Sequence, residues 1–240
     1  MTPVKLDASS SKKKPAVADV LYSTADGKLT LDAQTNGADN TAIAICVIPE
    51  VTENFKNGDN SEGAVKTARF VSLNYMSYET PTTGSDSPQL MRFGNDGTTI
   101  GNVKGGTGTT AYIGGKWNTQ NCLHACTKEN KDLTNGVTNS ENTGYCAPAC
   151  CCVAYSTPGT KPGDWYLPMP GELYQFYANK TAINEKRTAI KDSGFNGNGY
   201  WSSREISSTD VYYLTLSYGF IGNTIKSDSN YVLGFLALEV

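Results

Sequence analysis

The stretch that most constrains the fold is Gly163-Asp164-Trp165-Tyr166-Leu167-Pro168, which runs straight on into Gly171-Glu172-Leu173-Tyr174-Gln175-Phe176-Tyr177. A short apolar burst closed by proline predicts a strand, because proline lacks an N–H and biases the residue before it toward extended backbone. Leu173, Phe176 and Tyr177 then fall at i, i+3 and i+4, one apolar stripe on a helix starting near Gly171. Glu172 is favourable at the positive end of that helix. Tyr200-Trp201-Ser202-Ser203 opens a series of strand-like segments that reaches the C-terminus. Trp165 and Trp201 are large apolar anchors whose indole N–H groups need partners, and Ser202 and Ser203 can satisfy backbone groups at a sharp turn. Trp165, Leu167, Pro168, Glu172, Leu173, Trp201, Ser202 and Ser203 are therefore expected to define the fold and to be silent in binding.

The rest of the chain is strand-rich. Asp19 to Ser23 and Lys28 to Leu31 flank Ala25-Asp26-Gly27, a hairpin turn. Thr41 to Ile48 is a buried strand expected to stop at Pro49, and Ala68 to Leu73 alternates like a half-buried one. Glu53 to Glu62 is expected to be a polar loop. Residues 80 to 115 are rich in Gly, Thr, Ser and Asn. Gly105-Gly106-Thr107-Gly108-Thr109 within them lacks the Lys-Ser/Thr of a phosphate loop and is expected to be a surface loop. Asn118 to Lys128 and Ala147 to Ala154 carry helical spacing, and a further helix is expected from about Ala182 with Gly194 as its C-cap. Gly219 turns the chain toward Phe220–Lys226, and Tyr231 to Val240 is apolar enough for a central strand.

Charge and composition exclude several functions. The charged fraction is 18%, with 24 glycines and 14 tyrosines, so the surface must be built from Ser, Thr, Asn and Tyr. A net charge of -3 lacks the basic footprint of a nucleic-acid binder, and no apolar run approaches membrane-spanning length. Lys12, Lys13 and Lys14 are not followed by the apolar stretch of a secretory signal. The chain is thus expected to stay in the cytoplasm, to leave by a route needing no such signal, or to have lost a leader. The polar arm at 1–15 buries nothing by itself and is expected to be an assembly anchor held by another molecule.

Seven cysteines leave at least one unpaired within the chain. Cys122, His124, Cys126, Cys146 and Cys150 admit a zinc site or disulfides, but buried free thiols that pack as small hydrophobes are preferred, with Cys46, Cys151 and Cys152 beside them. No metal, cofactor or catalytic residue is assigned. His124 is the sole histidine, no nucleophile motif accompanies it, and Asp164 and Glu172 read as turn and helix-start residues.

Gly163–Pro168, Glu172-Leu173 and Tyr200–Ser203, with Met91-Arg92-Phe93-Gly94 and Ala154-Tyr155-Ser156-Thr157, resemble the DUF1566 family. That family is similar to the C-terminal domain of the Legionella collagen-like adhesin, and this version looks most like those of gut Bacteroidales and their phages. The resemblance covers roughly residues 90 to 240. It implies a C-type-lectin-like display domain at 80–240, related to the formylglycine-generating-enzyme fold; with the strands at 16–79 read as a small β-rich subdomain and the arm at 1–15, the expected architecture is α+β. The sugar-gripping Glu-Pro-Asn and Trp-Asn-Asp signatures of calcium-dependent lectins are absent. No cysteine follows Cys152, so the formylglycine chemistry has no residues to run on.

Tyr offers broad contact area at little entropy cost, and Ser and Asn offer adaptable hydrogen bonds. The late segments that mix them carry the expected ligand-binding set: Arg204, Tyr212, Tyr213, Tyr218, Asn223, Asp228, Asn230 and Tyr231. The expected function is a non-enzymatic phage virion surface protein (head fibre, capsid decoration or tail-fibre component). It would be made in the host cytoplasm and anchored to capsid or fibre proteins through Lys12, Lys13 and Lys14. A homo-oligomer is expected, a trimer by preference, displaying a face for a host surface glycan or protein. The alternative is a bacterial cell-surface adhesin or fimbria-associated protein.

Overall fold

A computed structural model describes residues 4–5, 13–35, 37–56, 62–94, 119 and 146–240. In chain order the first strands are β1 (Val4–Lys5), β2 (Val20–Ser23), β3 (Leu29–Thr30), β4 (Gln34–Thr35), β5 (Ala38–Asp39), β6 (Thr41–Lys56), β7 (Glu62–Tyr75) and β8 (Met91–Arg92). Helix α1 (Ala147–Ala154), β9 (Trp165–Tyr166), α2 (Pro170–Ala178) and α3 (Lys180–Lys191) follow. The chain ends with β10 (Gly199–Glu205), β11 (Asp210–Thr215), β12 (Phe220–Ile225), β13 (Ser229–Asn230) and β14 (Leu233–Glu239). The architecture is mixed α+β and rich in sheet.

The main sheet has seven strands in the order β1-β14-β7-β6-β2-β3, with β9 also paired to β14. The closing strand therefore lies against β7 on one side, where Leu236 faces Phe70, and against β9 on the other, where it faces Trp165. Strands from the 16–79 stretch and the C-terminal strand share this sheet. Leu233 to Leu238 is apolar at almost every position, the pattern of a strand covered on both faces, and all six of its residues are buried.

Both faces of the sheet are indeed covered. On one, Ala44, Cys46, Ala68, Phe70, Leu236 and Leu238 pack with α1, Trp165 and Trp201. On the other, Ile45, Val47, Val71, Leu73, Phe235 and Ala237 pack with Leu173, Phe176 and Ile183 of the two later helices. Ala68–Leu73 was expected to be half-buried. It is buried throughout, because helices cover both sides and the polar positions Arg69 and Ser72 find partners inside.

Two expected boundaries also move. Pro49 does not end its strand: β6 continues to Lys56, and the missing N–H falls where the register to β7 shifts, between Ile48 and Val51. Glu53 to Lys56 and Glu62 pair as strand rather than loop, since ladder bonds need no apolar side chain. At the end of α3, Asp192 takes the left-handed cap (φ 59) and its N–H bonds Thr188 O at 2.9 Å, so Gly194 is not the cap.

The arm has a partner within its own chain. Val4 and Lys5 pair in parallel with Leu238 and Glu239, and Lys5 Nζ lies 3.4 Å from Glu239. Lys13 Nζ sits 3.0 Å from Asp19 and Lys14 Nζ 3.7 Å from Glu50. Val4 and Lys5 thus run along the edge of β14, while Lys13 and Lys14 lie beside carboxylates of the same chain, one just before β2 and one in β6. Lys12 lies outside the described residues, as do Gly105–Thr109, Cys122, His124, Cys126 and, Thr119 excepted, the Asn118–Lys128 helix.

Cys46 and Cys151 are buried free thiols. Burial, then the charge of Asp19, pushes the Cys46 thiol from 9.0 up to about 12. Cys146, Cys150 and Cys152 are also buried, along α1 and its cap. Among the described residues no group of three His, Cys, Asp or Glu side chains is placed to hold a metal ion. No described helix is long and apolar enough to cross a membrane.

Candidate binding surface

The strand-to-helix motif is locked by one carboxylate. Glu172, 1% exposed, accepts from the Met169 N–H at 2.8 Å and thereby caps α2. Its other oxygen takes the Tyr166 hydroxyl at 2.7 Å and Arg69 Nε at 3.2 Å. The expected helix-start residue is thus also the inner half of a buried ion pair joining α2 to β7. Asp164 belongs to a turn, accepting the Lys161 N–H at 2.8 Å. Leu167 is bracketed by the Thr119 hydroxyl, which takes its N–H at 2.9 Å.

Trp165 and Trp201 are fully buried and their N–H groups are used. Trp165 donates to Thr160 Oγ1 at 2.9 Å and meets Tyr155 edge-on at 5.0 Å. Trp201 donates to Met91 O at 2.6 Å and meets Phe93 edge-on at 5.6 Å. The two motifs touch directly, because the Ser203 N–H bonds Pro168 O at 2.8 Å. Ser202 and Ser203 were expected at a sharp turn. They lie inside β10 instead, where the register to β11 shifts between Trp201 and Glu205, so a bulge does the bending. Ser202 Oγ donates to Tyr212 O at 2.8 Å across that bulge.

These braces carry the three-stranded sheet β10-β11-β12, and the expected ligand-binding residues distribute over it unevenly. Tyr212 and Asn223 lie directly opposite each other, and the Arg204 guanidinium stacks 5.0 Å from the Tyr212 ring centre. Arg204, Tyr212 and Asn223 thus form one group. At its edge Asp210 accepts the hydroxyls of Thr209 at 2.7 Å and Ser207 at 3.0 Å. Those bonds hold its carboxyl below the usual range, Thr209 contributing most. Tyr213 is the next residue along the strand and so points to the opposite face.

The other expected residues sit elsewhere. Tyr218 is 81% exposed at the tip of the β11–β12 hairpin. Asp228 is exposed in the turn after β12 and takes the Thr224 hydroxyl. Asn230 lies in β13, opposite Met91. Tyr231 is not presented at all: its ring packs 5.9 Å from Tyr200 and 6.1 Å from Tyr75 in the core. Burial drives the Tyr200 hydroxyl well above its ordinary value, and that hydroxyl donates to Asn196 O at 2.7 Å. The eight residues thus do not share one face: strand alternation separates Tyr212 from Tyr213, and the aromatic cluster takes in Tyr231.

The hairpin tip is held from the helix side. Gly219 adopts φ 67, and a Cβ there would stand 2.2 Å from the Tyr177 ring, so the ring lies directly on the turn. Lys180 donates to Leu216 O at 3.2 Å and Ser217 O at 2.9 Å while its Nζ covers the Tyr177 ring at 4.5 Å. Next to this tip Phe220 is 59% exposed, a residue that polar-tyrosine patterning passes over. The signal for it was Gly222, two positions on and opposite Tyr213. Beneath the sheet, Lys226 and Glu205 form a buried ion pair tying the end of β12 to β10.

No family model matches the chain, and no curated protein matches it. Among solved structures it is similar to a fimbrial protein from Bacteroides ovatus ATCC 8483, with a TM-score of 0.54 and 16% sequence identity. That likeness covers 92% of this chain and 48% of the fimbrial protein, so the chain spans about half of that protein's length. At this identity the likeness is one of fold.

Proposed function

We propose that the chain is a non-catalytic binding protein displayed at a bacterial cell surface, of the adhesin or fimbria-associated kind. The observation that carries this reading is the fold likeness to a fimbrial protein across 92% of the chain. It is the reason to prefer a cell-surface role to the virion surface role that the basic arm called for. The residues with the strongest chemistry support a binding role as well. Glu172 with Arg69, and Lys226 with Glu205, are committed to ion pairs inside the scaffold, while the outward positions of β11, β12 and their hairpin carry mainly Tyr, Phe, Asn and Thr, with Ile225 and Asp210 at the far end.

A C-type-lectin-like display domain is the finer fold we propose for residues 80–240. What supports it is that the two tryptophan motifs carrying the resemblance are joined by the Ser203–Pro168 bond, beside the bulge of β10, and that β14 completes the sheet of β6 and β7. In this arrangement buried tryptophans and the Glu172-capped α2 brace the strands, so the exposed side chains meet a ligand with little ordering left to do.

Antibody raised against this chain, applied to intact cells that carry its gene, tests the reading. Labelling of unpermeabilised cells that surface protease treatment removes is the expected result. An epitope reached only after lysis, or found on released particles together with capsid proteins, would overturn it in favour of the virion role.

A further inference from the structure

We propose that one face of the β10-β11-β12 sheet is an aromatic platform for a neutral pyranose ring. This rests on the surface-display function proposed above. It gives that function a ligand class and a place distinct from the Arg204–Tyr212–Asn223 group, which lies on the other face.

The pairing places Gly199, Tyr213, Thr215, Phe220 and Gly222 on a single face: Tyr213 is opposite Gly222, and Thr215 is opposite both Gly199 and Phe220. Further along, the same face is closed, since Trp201 and Val211 are fully buried and Trp201 lies under Met91 and Phe93. At the hairpin end it is open, with Phe220 59% exposed and Tyr213 half-buried.

Two glycines set how those rings lie. A Cβ on Gly222 would stand 2.5 Å from Phe220 Cε1 and 3.2 Å from Tyr213 Cε1, and one on Gly199 would stand 3.2 Å from Tyr213 Cδ2. Both rings therefore occupy space that side chains would fill at any other residue, leaning over bare backbone. On a free strand these side chains would stand nearly perpendicular to the sheet. Gly199 also admits the amide of Asn230, whose Oδ1 would be 2.1 Å from a Cβ there.

The chemistry of this surface matches one class of ligand. An aromatic face is negative at its centre and attracts weakly positive C–H groups, which the flat side of a pyranose presents in a cluster. The sugar's hydroxyls radiate from the ring edge and need donors and acceptors together, which an amide such as Asn230 and a hydroxyl such as Thr215 supply. None of Tyr213, Thr215, Phe220 and Asn230 carries a charge, which favours a neutral sugar over an acidic one.

The test uses the full chain titrated with methyl β-cellobioside, methyl β-lactoside and methyl α-mannobioside, read by nuclear magnetic resonance shifts and calorimetry. Phe220→Ala and Gly222→Val are compared with Phe220→Trp, and thermal melting confirms that each variant is folded. Saturable binding of at least one glycoside is expected, weakened at least tenfold by Phe220→Ala, which is about 1.4 kcal/mol. Gly222→Val should weaken it similarly by lifting the ring, and Phe220→Trp should retain it.

Three results would overturn the platform: none of the glycosides binds; binding survives Phe220→Ala unchanged; or Phe220→Ala abolishes self-association rather than sugar binding, which would make the face a contact between copies. Adherence of the wild-type chain to intact cells, measured in parallel, separates the two levels. Adherence without glycoside binding sinks the platform alone, whereas an epitope hidden until lysis sinks the surface role itself.

Discussion

Replacing Glu172 should destabilise the fold more than any exposed substitution, because its carboxylate serves three partners at once. In Glu172→Ala the Met169 N–H loses its acceptor at 2.8 Å, the Tyr166 hydroxyl its acceptor at 2.7 Å, and the Arg69 guanidinium its counter-ion at 3.2 Å. Both members of the ion pair are 1% exposed, so water cannot take the place of the carboxylate without opening the core. Removing one partner of a buried pair costs about 3–5 kcal/mol, and loss of the helix cap adds about 1 kcal/mol. For a chain of this length, 1 kcal/mol moves the melting temperature by roughly 2–4 °C. A fall of at least about 8 °C is therefore expected by calorimetry. Glu172→Gln, which keeps the shape but not the charge, should fall between wild type and alanine. The double variant Arg69→Met with Glu172→Met separates charge from packing. It should recover the part of the loss that comes from the orphaned guanidinium, while the Met169 N–H and the Tyr166 hydroxyl still lack their acceptor. A Glu172→Ala melting point within about 2 °C of wild type would refute the reasoning, as would strict additivity in the Arg69 double variant.

Alkaline conditions should weaken the fold in a defined window. The Cys46 thiol is raised from 9.0 to about 12 in the folded state, and the buried hydroxyls of Tyr155 and Tyr200 are raised too. The folded chain then holds protons that the unfolded chain has lost, so stability present below about pH 9 should decline steadily toward pH 12, as denaturant midpoints across that range will show. In the same spirit Cys46 and Cys151 should resist iodoacetamide at pH 8 until the chain is unfolded, a difference that mass spectrometry reads directly. Trp201→Phe keeps the apolar bulk but strands the Met91 carbonyl now bonded at 2.6 Å. A loss of about 1–3 kcal/mol in chemical denaturation is expected.

Wherever a single physical constraint dominated, the residues announced their structure. Leu173, Phe176 and Tyr177 at helical spacing became α2, and the apolar run from Leu233 became a strand covered on both faces, since burial leaves few alternatives to such patterns. Trp165 and Trp201 were legible as braces because an indole is too large to be idle. What escaped was non-local. Arg69 reads as an outward polar position until α2, a hundred residues away in sequence, brings Glu172 against it. Pro49 reads as a stop until the β6–β7 register supplies a bulge for it. The binding surface suffered from the same blindness. The alternation that sends Tyr212 and Tyr213 to opposite faces is legible in the segment, but which face is covered is not. Tyr231 looks available until Tyr75 and Tyr200 close around it. Phe220 reads as core by composition and is exposed because β12 lies at the sheet's edge.

The reading proposed above is that this chain is displayed at a bacterial cell surface, as an adhesin or a fimbria-associated protein. Shearing fimbriae from cells that carry its gene, sedimenting them and probing each fraction for the chain tests it most directly. The chain is expected either with the sheared fimbriae or on the cell bodies in a form that protease added to intact cells removes. Recovery only in the soluble cytosol, or in particles that also contain capsid proteins, would contradict it.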